Sequence, residues 1–119
     1  MSKRDSAEYK IEKAGEMIVA ALPPIDRHPG AFIKDVLLPE YGLNVAEAAR
    51  LMGINRVGLI NTLTGKSDVS RALAYRLGAL MRDEVADLLI AYQHAYDLAQ
   101  EREMREAMKA SIERLPEPA

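Results

Sequence analysis

The sequence predicts an all-α fold: a compact five-helix domain with an added N-terminal helix and an extended C-terminal helix. Three observations predict it. Apolar residues make up 49% of the 119 positions but aromatics only 5%, so the core must be aliphatic, which suits helices packed on helices. Along most of the chain the apolar residues recur at spacings of three and four rather than alternating. Cap residues, glycines and prolines divide those stretches into helix-length pieces.

The elements follow in order. Residues 8–22 read as an amphipathic helix with Ile11, Ala14, Ile18, Ala21 and Leu22 on one face. Asp5 and Glu8 stand as its cap and reciprocal carboxylate, and Pro23-Pro24 ends it because Pro24 bars Pro23 from helical geometry. A second helix starts at His28-Pro29, where proline suits the first helical position. It is expected to bury Phe32, Ile33, Val36 and Leu37 and to stop around residues 39–42. Asn44 then caps a short helix, with Glu47 completing a capping box. Its packing positions read as Ala46, Ala49, Leu51 and Met52, and Gly53 supplies a left-handed turn. Asn55 caps a further short helix over residues 56–64, ended by Gly65. A loop over residues 66–69 leads to Ser70, the cap of a helix carrying Leu73, Leu77 and Leu80.

From about Glu84 the pattern can stay helical to Leu115. Val85, Leu88, Leu89, Tyr92, Ala95, Tyr96 and Ala99 make one stripe, broken at Glu101-Arg102-Glu103. Met104, Met108, Ile112 and Leu115 resume on a shifted face and read as a packing stripe, on a half of the helix that either packs on another chain or frays. At about 1.5 Å per residue such a helix outruns one side of so small a domain.

Charge is distributed unevenly behind the overall −2. Between residues 48 and 82, Arg50, Arg56, Lys66, Arg71, Arg76 and Arg82 oppose Asp68 alone, a net +5, while the flanks are acidic. A basic centre is the electrostatic footprint of a nucleic-acid binder. It coincides with two short capped helices joined through a glycine, the layout of a helix-turn-helix.

Several function classes are excluded or disfavoured. No cysteine means no disulfide and no thiolate chemistry. The apolar run at residues 17–22 is shorter than a secretory segment of about 7–15 residues or a membrane span of about 20. A cytoplasmic protein with no membrane partner is expected. His28 reads as a capping or packing residue, and His94 with Asp97 as an ordinary pair three residues apart on a helix. With no phosphate loop, His-Glu-x-x-His or nucleophile elbow, the expectation is no enzyme, no cofactor and no metal.

The set His28-Pro29-Gly30, Asn44 with Ala49, Gly53-Ile54-Asn55-Arg56, Leu63-Thr64-Gly65-Lys66 and Ala95-Tyr96-Asp97-Leu98 resembles the HigA-type antitoxins. These are a branch of the phage-repressor-like (XRE-like) helix-turn-helix regulators. The likeness covers residues 25–100, leaving residues 1–24 as an N-terminal helical extension and 101–119 as a C-terminal helix extension and tail. It implies a homodimer that represses its own operon and neutralises a co-encoded RelE-like mRNA-cleaving toxin. The second helix of such a pair enters the major groove of operator DNA. Arg56, Val57 and Asn61 then face bases: arginine suits guanine, asparagine suits adenine, and valine can touch only a thymine methyl. Asn44, Asn55, Lys66 and Ser67 stand where caps and loop donors reach phosphates. The chain departs from the family pattern in having Val45 for a common glutamine and apolar Val57, Gly58 and Ile60 for polar residues. Thr62 stands where a core leucine is usual. Two other readings share this fold: a stand-alone repressor without a toxin, and a protein-interaction module that has given up DNA.

Overall fold

The structure, a computed structural model, describes residues 27–118; the expected helix over residues 8–22 and its cap lie outside them. The fold is all-α, with six helices and no strand among the described residues. Helix α1 is a continuous run made of Pro29–Phe32, a wider π-helical turn Ile33–Leu37, and Leu38–Glu40. It is followed by α2 (Val45–Met52), α3 (Arg56–Leu63), α4 (Arg71–Leu80), α5 (Asp83–Gln100) and α6 (Arg102–Ser111).

The π turn in α1 corrects the expected burial. Ile33, Leu37 and Leu38 are buried, whereas Phe32 is half-buried and Val36 exposed. Pro39 has no N–H to offer the Asp35 carbonyl, and its ring crowds that carbonyl. Just upstream the Leu38 N–H reaches back to the Ile33 carbonyl, widening the turn by one residue. The inward face therefore continues at Leu38.

Helices α2 and α3 are defined by their caps. Asn44 Oδ1 accepts the Glu47 N–H at 2.8 Å. Gly53 turns the chain at φ 68°, a left-handed conformation that side chains with a Cβ resist. Asn55 Oδ1 then accepts both the Val57 and Gly58 N–H groups, at 2.8 and 3.1 Å. In α2 the inward arc is Val45, Ala48, Ala49 and Met52; Ala46 and Leu51, expected to pack, are exposed. The correct arc is the one whose residues recur three, four and seven apart from Val45.

Ala48 and Ala49 meet Leu59 and Leu63 of α3, Leu73, Ala74 and Leu77 of α4, and Val85 and Leu89 of α5 in one core. Ser70 Oγ caps α4 by accepting the Leu73 N–H at 3.1 Å. The turn into α5 is fastened by Glu84, whose own backbone N–H and the Arg82 side chain hold its carboxyl below the ordinary range.

The long helix expected to Leu115 is broken. Its first part ends at Gln100, and Glu101 closes the turn by donating its N–H to the Asp97 carbonyl. The second part, α6, stops at Ser111, and Ile112 is extended. No residue of α6 is buried, so packing does not hold its last turn, and Pro116 bars Leu115 from helical geometry.

Candidate nucleic-acid interface

The three expected base-facing residues lie on one helix, and its geometry sorts them. At 100° per residue, Leu59, Thr62 and Leu63 form the buried side of α3. Going round the outward face from Arg56 the order is Ile60, Thr64, Val57 and Asn61, and Val57 stands most nearly opposite the buried side. Val57 is 64% exposed and Ile60 37%; Arg56 and Thr64 are exposed and Asn61 half-buried. Arg56, Val57 and Asn61 thus share one outward surface, although Val57 among them is apolar. Ile60 and Thr64 belong to it as well, and only the apolar character of Ile60 hinted at this beforehand.

The expected phosphate-facing residues fall into two groups. Asn44 and Asn55 are both exposed helix caps, and each spends its side-chain oxygen on backbone N–H groups. What each has left is an amide NH₂ donor. Lys66 and Ser67 are exposed in the loop that follows α3. Their backbone N–H groups donate to the Asn61 carbonyl at 2.8 and 3.2 Å, which folds the loop against the end of the helix. Asn55, Lys66 and Ser67 are therefore brought to the two ends of α3, while Asn44 starts the neighbouring helix.

The electrostatics favour an anion. Arg50, Arg56, Lys66, Arg71 and Arg76 are all exposed, and none is in an ion pair among the described residues. Arg76 also lines a cleft of about 210 Å³ with Asn55, Gly58 and Ser70, at the foot of α3.

What holds α3 in place comes from the two ends of the chain segment. Gly30 lies so close to α3 that a Cβ there would come within 2.0 Å of the Thr62 carbonyl oxygen. His28 Nδ1 accepts the Gly30 N–H at 2.9 Å, so the histidine caps α1. The other ring nitrogen, Nε2, is buried, 3.8 Å from Asp68 Oδ1. The ring stands edge-on to Tyr96 of α5, centroids 5.3 Å apart. The Tyr92 hydroxyl donates to the Arg27 carbonyl at 3.2 Å.

A buried polar link does the same for the loop after α3. The Val69 N–H donates to Gln93 Oε1 at 2.8 Å, and Gln93 Nε2 donates to Asp97 Oδ1 at 2.8 Å. Asp97 is therefore the partner of Gln93, not of His94 as expected; His94 is exposed. Gln93 was missed in the sequence, where His94 beside it is polar as well and nothing local sets it apart. Among the described residues no group of three or more acidic or histidine side chains could hold a metal. No helix described is long and apolar enough to cross a membrane.

No protein-family model matches the chain, and no solved structure matches it. A protein of Dichelobacter nodosus named Virulence-associated protein A' is 33% identical over 73 residues. The matched stretch spans 61% of this chain and 63% of that protein's length.

Proposed function

We propose that this chain is a DNA-binding repressor that also serves as the antitoxin of a co-encoded RelE-like toxin, acting as a homodimer. The observation that carries the DNA half is α3: a short helix capped by Asn55, packed on one side, with Arg56, Val57 and Asn61 outward among unpaired cations. Such a helix fits the major groove with its N-terminal residues against base edges. Free cations at Arg50, Lys66, Arg71 and Arg76 supply phosphate contacts that orient the protein. The antitoxin half rests on the likeness carried by His28-Pro29-Gly30 and Ala95-Tyr96-Asp97-Leu98. It is supported by Met104 and Met108 of α6, which are exposed, as is Ile112 just past its end, and offer a surface to a second chain.

Fluorescence anisotropy of the full chain on duplex DNA from upstream of its own gene, at several salt concentrations, tests the DNA half. Binding that exceeds binding to random DNA and weakens steeply with salt is expected, because phosphate contacts release counterions. The antitoxin half is tested by co-expression with the product of an adjacent gene, where restored growth is the expected outcome.

A second reading has a specific observation in its favour. Val57 and Ile60 put apolar surface where repressors carry polar side chains, which suits a protein partner. Salt-insensitive binding to a protein and no preference among duplexes would favour it.

A further inference from the structure

We propose that the outer arc of α3 reads thymine C5-methyl groups, so that the half-site this chain selects carries thymines opposite Val57 and Ile60. This rests on the DNA-binding reading above and names the chemistry of the DNA it would recognise. Surface helices normally keep apolar residues on one stripe and polar ones outside. Helix α3 does not: Leu59 and Leu63 are buried while Val57 and Ile60 are exposed.

Those two side chains lie between Arg56 and Asn61 on the face that a helix lying in the major groove turns to the base edges. Part of the hydrogen-bonding capacity that could compete with them is spent. Thr64 lies on the same arc, but its hydroxyl donates to the Ile60 carbonyl at 2.9 Å. Asn55 commits its side-chain oxygen to the Val57 and Gly58 N–H groups. Gly58 adds no side chain. That leaves Arg56 and Asn61, one at each edge, for donor and acceptor patterns. Val57 and Ile60 offer methyl groups alone. Among the four bases only thymine displays a methyl in the major groove. Exposed cations flanking α3, at Arg50, Lys66 and Arg76, commit the surface to a polyanion rather than to an apolar protein groove.

The test uses the full chain and a duplex that it selects from a random-sequence pool. Each thymine of the selected half-site is then replaced in turn by deoxyuridine, which removes the C5-methyl and leaves base pairing unchanged. Replacement at two or more positions is expected to weaken binding about fourfold for each methyl, the ratio that burying one carbon gives. The Val57→Ser variant should lose that sensitivity at one position while keeping its salt dependence. Selective, salt-dependent binding that ignores deoxyuridine at every position would overturn this inference and leave the repressor reading standing. No selective enrichment from the pool, with no salt-dependent binding, would overturn both.

Discussion

Helices α3 and α6 both put apolar side chains into water, and they do so from opposite circumstances. Helix α3 is anchored. Leu59, Thr62 and Leu63 are buried, Asn55 caps its start, and Gly30 lies against the Thr62 carbonyl near its end. Helix α6 has no buried residue; Met104 and Met108 are each 52% exposed. An apolar surface held rigidly by a core can serve as a reading surface, because little order is lost when it meets a partner. A helix of ten residues without packing is marginal in water, so α6 depends on whatever covers it.

The contrast can be broken first at the contact that anchors α3. Gly30→Ala drives a Cβ into the Thr62 carbonyl and should cost about 3 kcal/mol, the upper end of what overpacking costs. Urea unfolding measures it; a cost below about 1 kcal/mol would mean that α1 does not fix α3. Next comes the surface α3 displays. Arg56→Ala should weaken binding to the selected duplex by about 1–3 kcal/mol and relax preference at one base position. Lys66→Ala should weaken specific and random duplexes alike and flatten the salt slope by about one unit. An equal loss on both DNAs for Arg56→Ala, or an unchanged slope for Lys66→Ala, would exchange or remove those roles.

A smaller effect sharpens the comparison from the other side. A Cβ at Gly58 would meet only the Asn55 Cβ, at 4.0 Å. Gly58→Ala should therefore stabilise the fold by up to about 1 kcal/mol through helix propensity, which thermal melting would show. The smallest change is expected in α6. Met108→Lys should alter the unfolding free energy of the single chain by no more than about 0.5 kcal/mol, as for an exposed position. In sedimentation it should nevertheless reduce self-association. A large loss of stability would mean that α6 packs on its own domain.

Much of this was legible in the sequence because it is written locally. Asn44, Asn55 and Ser70 announce helix starts, and Gly53 and Gly65 announce turns, since each acts on its own neighbours. Arg56, Val57 and Asn61 could be assigned to one surface from spacing alone. What was not legible depends on contacts distant in sequence or on small changes of register. Val36 and Leu38 exchange places because a π turn upstream of Pro39 adds a residue. Ala46 and Leu51 face outward because two adjacent arcs of α2 are both apolar, and only its neighbours choose between them. The bond from Val69 to Gln93 joins residues 24 positions apart, and nothing local forecasts it. His28-Pro29-Gly30 stands out as a motif, yet its work of setting α1 against the end of α3 appears only once Thr62 is placed beside it.

The central claim is that the outer arc of α3 meets DNA, and photocrosslinking tests it most directly. The duplex selected by the full chain is prepared with 5-bromodeoxyuridine in place of thymine, irradiated, and the crosslinked peptides are identified by mass spectrometry. Crosslinks within the stretch from Arg56 to Thr64 are the predicted result. Crosslinks confined to α6 or to α1, with binding retained, would contradict it.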